Sequence, residues 1–231
     1  MIPTPLLRLL VIGVGLALTA AVGIDAFDEE LRPKKLVEAQ PGLYRAGQIS
    51  PRLIRGVLEE NRIGKVVWML HYNPARRSHR AEKEAIDALG IERHHFPMRG
   101  DGTGKVQRLA DAIEVVAGAR REGVPVLVHC AAGSRRSAAV VSMYQLLVEG
   151  RSPEETYREL DRFGNRPVAE SPLLAYLNEN MQELAELLAE RGVIETVPEP
   201  LPLLRPPAET PLHVRVARWL GALPPGSVVG L

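Results

Sequence analysis

The chain has 231 residues, which is enough for one domain of ordinary size with terminal extensions and too short for two full enzymes. Apolar residues make up 45% and charged residues 25%, a balance that lets a globular core form. The net charge of +1 argues against a general polyanion binder such as a nucleic-acid protein, so any attraction for an anionic ligand must be local.

The N-terminus opens with an uncharged 16-residue apolar run from Leu9 to Ile24. That is short for a bilayer span, which takes roughly 20 residues, and long for the apolar part of a signal peptide. Residues 1–24 are therefore expected to be a signal peptide or membrane anchor, with Ala20, Ala21 and Gly23 permitting cleavage. Positive charges flank both ends of the run (Arg8 on one side; Arg32, Lys34 and Lys35 on the other), so their count favours neither topology. The order of a basic residue, an apolar run and small residues favours export of the C-terminal part. The expected location is membrane-anchored or exported, on the periplasmic or extracytoplasmic side.

Residues 25–40 read as a polar linker, and a compact domain is expected over 41–193. It begins with a short strand and turn at Pro41–Gln48. Ser50-Pro51 then supplies an N-cap and a first-turn proline for a helix to about Asn61. Lys65–Leu70 is a near-continuous, β-branched apolar run, the pattern of a buried parallel strand. A helix follows from Ser78 to Gly90, then a strand over Ile91–Phe96. After a Gly-rich loop, a helix runs from about Lys105 to Arg121 and ends near Gly123. Val124–Val128 is a further buried strand, and Arg136–Glu149 a helix ended by Gly150. Ser152-Pro153-Glu154-Glu155 forms a capping box for the next helix. Ser171-Pro172 opens a last one, whose stripe of Leu173, Leu177, Met181, Leu184 and Leu188 faces the core. Alternating strands and helices imply an α/β fold: a central, mainly parallel sheet flanked by helices on both faces. From residue 194 the chain is Pro-rich and expected to be an irregular tail, apart from a short helix over His213–Leu220 carrying Trp219.

Cys130 is the only cysteine, so no internal disulfide can form. It follows a buried strand and precedes a helix, the place where ligands bind in open α/β sheets. Ala131, Ala132, Gly133, Ser134 and Arg135 make a small loop whose successive N–H groups can enclose an oxyanion, and the helix N-terminus adds its positive end. Arg136 offers a planar fork for two phosphate oxygens. The same surroundings activate the sulfur. A thiol with a pKa of about 8.5 is about 3% thiolate at pH 7. Lowering it by about three units, worth roughly 4 kcal/mol, makes it nearly all thiolate.

The segment His129-Cys130-Ala131-Ala132-Gly133-Ser134-Arg135-Arg136-Ser137 resembles the protein tyrosine phosphatase signature H-C-x-x-G-x-x-R-S at every fixed position. From about Leu43 to Arg191 the chain is similar to the compact dual-specificity phosphatases, particularly bacterial relatives of the atypical plant-and-fungal-type group. Tyr44-Arg45-Ala46-Gly47-Gln48 resembles that group's opening strand, and Pro97-Met98-Arg99-Gly100-Asp101-Gly102 its acid loop.

The resemblance implies that Cys130 attacks phosphorus, Arg136 clamps the phosphoryl oxygens and Ser137 hydrogen-bonds the sulfur. It makes His129 structural, bonded to the loop backbone, and makes Asp101, 29 positions before Cys130, the general acid. Asp-Gly is also a common turn pair, and Asp111, within a helix, is the weaker candidate. The implied enzyme is a phosphoric monoester hydrolase acting on phosphoprotein (Tyr, Ser or Thr) or on a multiply phosphorylated small molecule such as an inositol phosphate. Arg76, Arg77, Arg80, Arg99, Lys105 and Arg135 suit the second, though charge runs are usually solvated surface.

No metal or organic cofactor is called for, and His71, His79, His94 and His95 show no ligand spacing. Two other readings remain at this point. A rhodanese-like sulfurtransferase also uses a cysteine in an anion-binding loop, but that loop is one residue shorter. A non-catalytic phospho-binding module would need neither nucleophile nor acid.

Overall fold

The computed structural model describes residues 31–162 and 167–206. The apolar run at Leu9–Ile24 and the short helix expected at His213–Leu220 lie outside them. Among the described residues no helix is long and apolar enough to cross a membrane.

Among the described residues, five strands form one sheet in the order β1-β2-β5-β3-β4, where β1 is Val37–Gln40, β2 Leu43–Ala46, β3 Lys65–Trp68, β4 Glu92–His95 and β5 Val126–His129. All neighbours run parallel except β1, which pairs antiparallel with β2. The helices are α1 (Ile54–Glu60), α2 (Arg77–Leu89), α3 (Val106–Glu122), α4 (Arg136–Leu147), α5 (Pro153–Arg162), α6 (Pro172–Glu179) and α7 (Met181–Glu190). This is the expected α/β architecture.

Alternation along β5 explains the two-sided core. Val126, Val128 and Cys130 join the larger apolar cluster with α3, α4, α6 and α7, whereas Leu127 joins the smaller one with Ile54, Leu58 and Ile86 of α1 and α2. With both faces covered, a central strand has no polar side, which is why β5 reads as an unbroken apolar run. α4 is buried along nearly its whole length, as a helix of Ala138, Ala139, Val140, Val141, Met143, Leu146 and Leu147 must be.

Register positions the site. Ala46, Trp68 and His129 are level across β2, β3 and β5, so the three strands end together. The next residue of each strand then meets at the carboxyl edge. The Met69 N–H donates to the His129 carbonyl at 3.1 Å, and the Cys130 N–H to that of Ala46 at 3.3 Å.

Several expectations need correcting. Residues 37–40 are strand rather than linker, because Pro41-Gly42 is a tight turn (Gly42 φ +78°) that folds them back onto β2. Ser50 does not cap a helix: its hydroxyl is buried without a partner among the described residues, residues 51–53 form a turn, and α1 starts at Ile54. The helix from Pro172 is broken at Asn180. Its side-chain amide donates to the Tyr176 carbonyl at 2.7 Å, in competition with the helical ladder. All five stripe residues are nevertheless buried. The start of the Pro-rich tail is docked: Asn178 exchanges two 2.8 Å bonds with the Leu204 backbone, and Leu204 is buried in the core. Burying that leucine contributes about 2 kcal/mol.

Candidate active site

The loop between β5 and α4 begins at Cys130, whose side chain is only 1% exposed. Its sulfur accepts the Gly133 N–H at 3.2 Å and lies 3.5 Å from the Ser137 hydroxyl. Burial alone would push the thiol pKa up. Hydrogen bonds from the Ser137 side chain and N–H, the Arg136 charge and the Gly133 N–H outweigh it, and the net shift is downward.

The loop is fastened to its neighbours at several points. The Gln48 N–H donates to the Ala131 carbonyl at 3.1 Å. Gly133 sits at φ +69°, and a Cβ there would lie 2.6 Å from the Gly47 nitrogen, so only glycine lets the loop lie flush on the turn after β2. Arg136 opens α4. Its Nη1 is 3.5 Å from the Met69 carbonyl, and its Nε is buried with no partner among the described residues.

His129 does not bond the loop backbone as expected. Strand alternation turns its ring to the opposite face of the sheet, where Nε2 lies 2.6 Å from Glu82 Oε1 of α2. Both side chains are 1% exposed. Glu82 Oε2 accepts from Gln48 Nε2 at 2.8 Å. Burial would lower the His129 pKa, but the charge of Glu82 and its hydrogen bond prevail and raise it. The Trp68 ring completes this buried layer, with His129 and His79 at 5.8 and 5.3 Å between centroids.

Asp101 belongs to a turn that closes on itself. Its Oδ1 accepts the Thr103 N–H at 3.0 Å and the Thr103 hydroxyl at 2.8 Å, and Arg99 and Thr103 are bonded across the turn. The backbone bond from Thr103 is the main reason its carboxyl pKa is lowered; the Thr103 hydroxyl and Arg99 act in the same direction, and burial opposes them. The turn lies against the phosphate loop: a Cβ on Gly102 would be 3.4 Å from Arg135 Cβ. Asp111 is elsewhere, paired with Arg191 at 2.7 Å between α3 and the end of α7.

The basic residues separate into groups. Arg99 and Lys105 line a cavity of about 470 Å³ together with His71, Arg108 and Tyr176, next to the Asp101 turn. Arg76, Arg77 and Arg80 sit exposed at the start of α2 and do not line it.

The sequence reading missed three contributors. Gln48 and Glu82 support His129 from behind, and Lys35 Nζ donates to the Ser134 hydroxyl at 2.8 Å. Gln48 was visible within the opening-strand resemblance. Glu82 carried no signal, because one glutamate on an amphipathic helix looks like solvated surface.

A family model described as dual specificity phosphatase, catalytic domain, matches residues 59–183, more than half of the chain. The chain belongs to this family. It is a cysteine-dependent phosphatase, and the match does not extend to the sulfurtransferase reading. Among solved structures, the catalytic core of S. cerevisiae SIW14 superposes with a TM-score of 0.57 at 16% identity, over 73% of this chain and 96% of that one. P. aeruginosa TpbA superposes with a TM-score of 0.51 at 19% identity, over 62% of this chain and 83% of that one. These two likenesses concern the fold. No curated protein sequence matches.

Proposed function

We propose that Cys130 hydrolyses phosphate monoesters through a cysteinyl-phosphate, with Arg136, Asp101 and Ser137 as its partners. The observation that carries this reading is the sulfur itself: buried at the carboxyl edge of β5, it accepts hydrogen bonds inside a loop that leads into a helix N-terminus. In the first step the thiolate attacks phosphorus and the P–O ester bond breaks. The bond's electron pair stays on the leaving oxygen, which takes a proton from Asp101. Both Thr103 bonds fall on Oδ1, so Oδ2 is the oxygen able to carry that proton. Arg136 Nε, buried and unpaired among the described residues, is a donor for a phosphoryl oxygen, and the loop N–H groups of Ala131, Ala132, Gly133, Ser134 and Arg135 suit the others. In the second step water attacks phosphorus while the Asp101 carboxylate takes its proton. The S–P bond breaks, and the sulfur leaves as a thiolate stabilised by the Ser137 hydroxyl.

For the substrate, the cavity beside the Asp101 turn favours an ester with further anionic groups over a phosphoprotein with one. Arg99, Lys105 and Arg108 line it, and among the described residues no carboxylate does. SIW14, which shares the fold, is itself a PP-IP phosphatase. The test compares wild type with Arg99→Ala/Lys105→Ala on p-nitrophenyl phosphate and on a multiply phosphorylated inositol. A loss of about tenfold or more confined to the second substrate supports this reading, and equal losses on both refute it.

The N-terminal run supports membrane attachment or export of the catalytic domain. Fractionation of the full chain, with alkaline extraction and protease accessibility, tests both halves: a carbonate-extractable, protease-shielded protein would contradict them.

A further inference from the structure

The four residues before β1 lie against the phosphate loop. Pro33 to Leu36 form a turn, with the Leu36 N–H on the Pro33 carbonyl at 3.3 Å. The Lys34 carbonyl accepts the Gly47 N–H at 2.8 Å, and the Lys34 side chain covers Gly47 so closely that a Cβ there would meet it at 2.9 Å. Gly47 is the same residue on which Gly133 rests. The strap, the turn after β2 and the phosphate loop are thus stacked in contact.

Lys35 holds the strap's unusual conformation. Its φ is +49°, in the left-handed region that a long L side chain enters only at a cost. From there its ammonium donates to the hydroxyl of Ser134, which is itself only 7% exposed within the loop. An unconstrained lysine at a domain edge would extend into water, whereas this one is partly buried beside two other cations. Among the described residues, the groups facing it include Lys34 of the strap, Arg45 of β2, and Ser134 and Cys130 of the loop. Burial, Arg45 and Lys34 lower its pKa, and the charge on Cys130 works in the opposite direction. The sulfur in turn is faced by Arg136 from α4 and by Arg45, which is fully buried in β2, with His129 directly before it. Arg45 is also faced by Glu159 and Arg162 of α5, and an anion held in the loop is attracted by each of the cations around it.

We propose that Lys35 is a positioning residue of the phosphatase site, fixing Ser134 and adding a positive charge that stabilises both the Cys130 thiolate and a phosphoryl group bound in the loop. The strained backbone is then retained for its side chain. The proposal rests on the site reading given above, so its test avoids turnover. The rate of Cys130 alkylation by iodoacetamide, followed against pH in the full chain, gives the thiolate midpoint, and protection by inorganic phosphate gives anion affinity.

Lys35→Gly relaxes the left-handed backbone and removes the ammonium together. It is expected to keep or raise the melting temperature, to move the alkylation midpoint up by about half a pH unit to one unit, and to weaken phosphate protection about five- to tenfold. Lys35→Met should show the same midpoint shift, and Lys35→Arg should restore most of it. A midpoint and a phosphate affinity in Lys35→Gly within about twofold of wild type would overturn the proposal. So would equal losses in Lys35→Gly and Lys35→Arg. Absence of p-nitrophenyl phosphate turnover in wild type would count against the phosphatase chemistry without altering either readout.

Discussion

The phosphate loop is held from outside, by the backbone of Ala46–Gln48, by the Lys35 ammonium and by α4, whereas the neighbouring acid turn is held by Arg99, Asp101 and Thr103 bonding to one another. A loop fastened at many points keeps its donors aimed before substrate arrives, which is what stabilising a developing charge demands. A turn closed on itself can shift as a unit without losing its internal bonds, and a group that must first give a proton and then take one benefits from that freedom. The contrast also separates the two pKa shifts. Cys130 is lowered toward a reactive thiolate, while Asp101 is lowered away from the protonated form that its first step needs.

The largest break in this contrast should come from Gly133→Ala. The added methyl lands 2.6 Å from the Gly47 nitrogen at a φ of +69°, so the loop must lift off its support. Turnover should vanish, and stability in a urea melt should fall by about 2–3 kcal/mol. Asp101→Asn addresses the other side. The amide oxygen still accepts both Thr103 bonds, so the turn and the melting temperature should be kept while kcat falls about a hundredfold or more. Unchanged kcat would reduce Asp101 to a turn former.

Glu82→Gln tests the support behind the phosphate loop, with an expected loss of roughly 1–3 kcal/mol that depends on pH. The folded-state pKa of His129 is raised from its ordinary 6.5. The stability it contributes is therefore full below 6.5 and disappears as pH rises through the higher folded value. Urea melts of the two proteins should differ most in mild acid and converge on the alkaline side. The smallest effect belongs to Thr103→Val, which removes one of the two bonds on Asp101 and should raise its pKa. The basic limb of the kcat/KM profile should move to higher pH, with stability changing by less than about 1 kcal/mol.

The sequence disclosed the parts whose constraints are local in the chain. A β-branched run marks β5, a small-residue loop with glycine at its turn marks the phosphate site, and Gly90 and Gly123 end α2 and α3 in the left-handed conformation. Contacts between distant segments stayed hidden. Lys35 touches a residue 99 positions away, and Glu82 meets His129 across the sheet, so neither pattern leaves a period or spacing to find. Boundaries failed where a side chain competed with the backbone, as at Asn180, or where tertiary pairing ordered a polar stretch, as in Val37–Gln40. His129, expected just past the Val124–Val128 strand, is the last residue of β5, and the partner of its ring leaves no mark in the loop motif.

The measurement closest to the central claim is capture of the covalent intermediate. Full-length Asp101→Asn protein, mixed with p-nitrophenyl phosphate, quenched in acid and digested, should yield a phosphate adduct on the Cys130 peptide, and Cys130→Ser protein should yield neither adduct nor turnover. Turnover surviving in Cys130→Ser, or phosphate recovered on any other residue, would contradict the account.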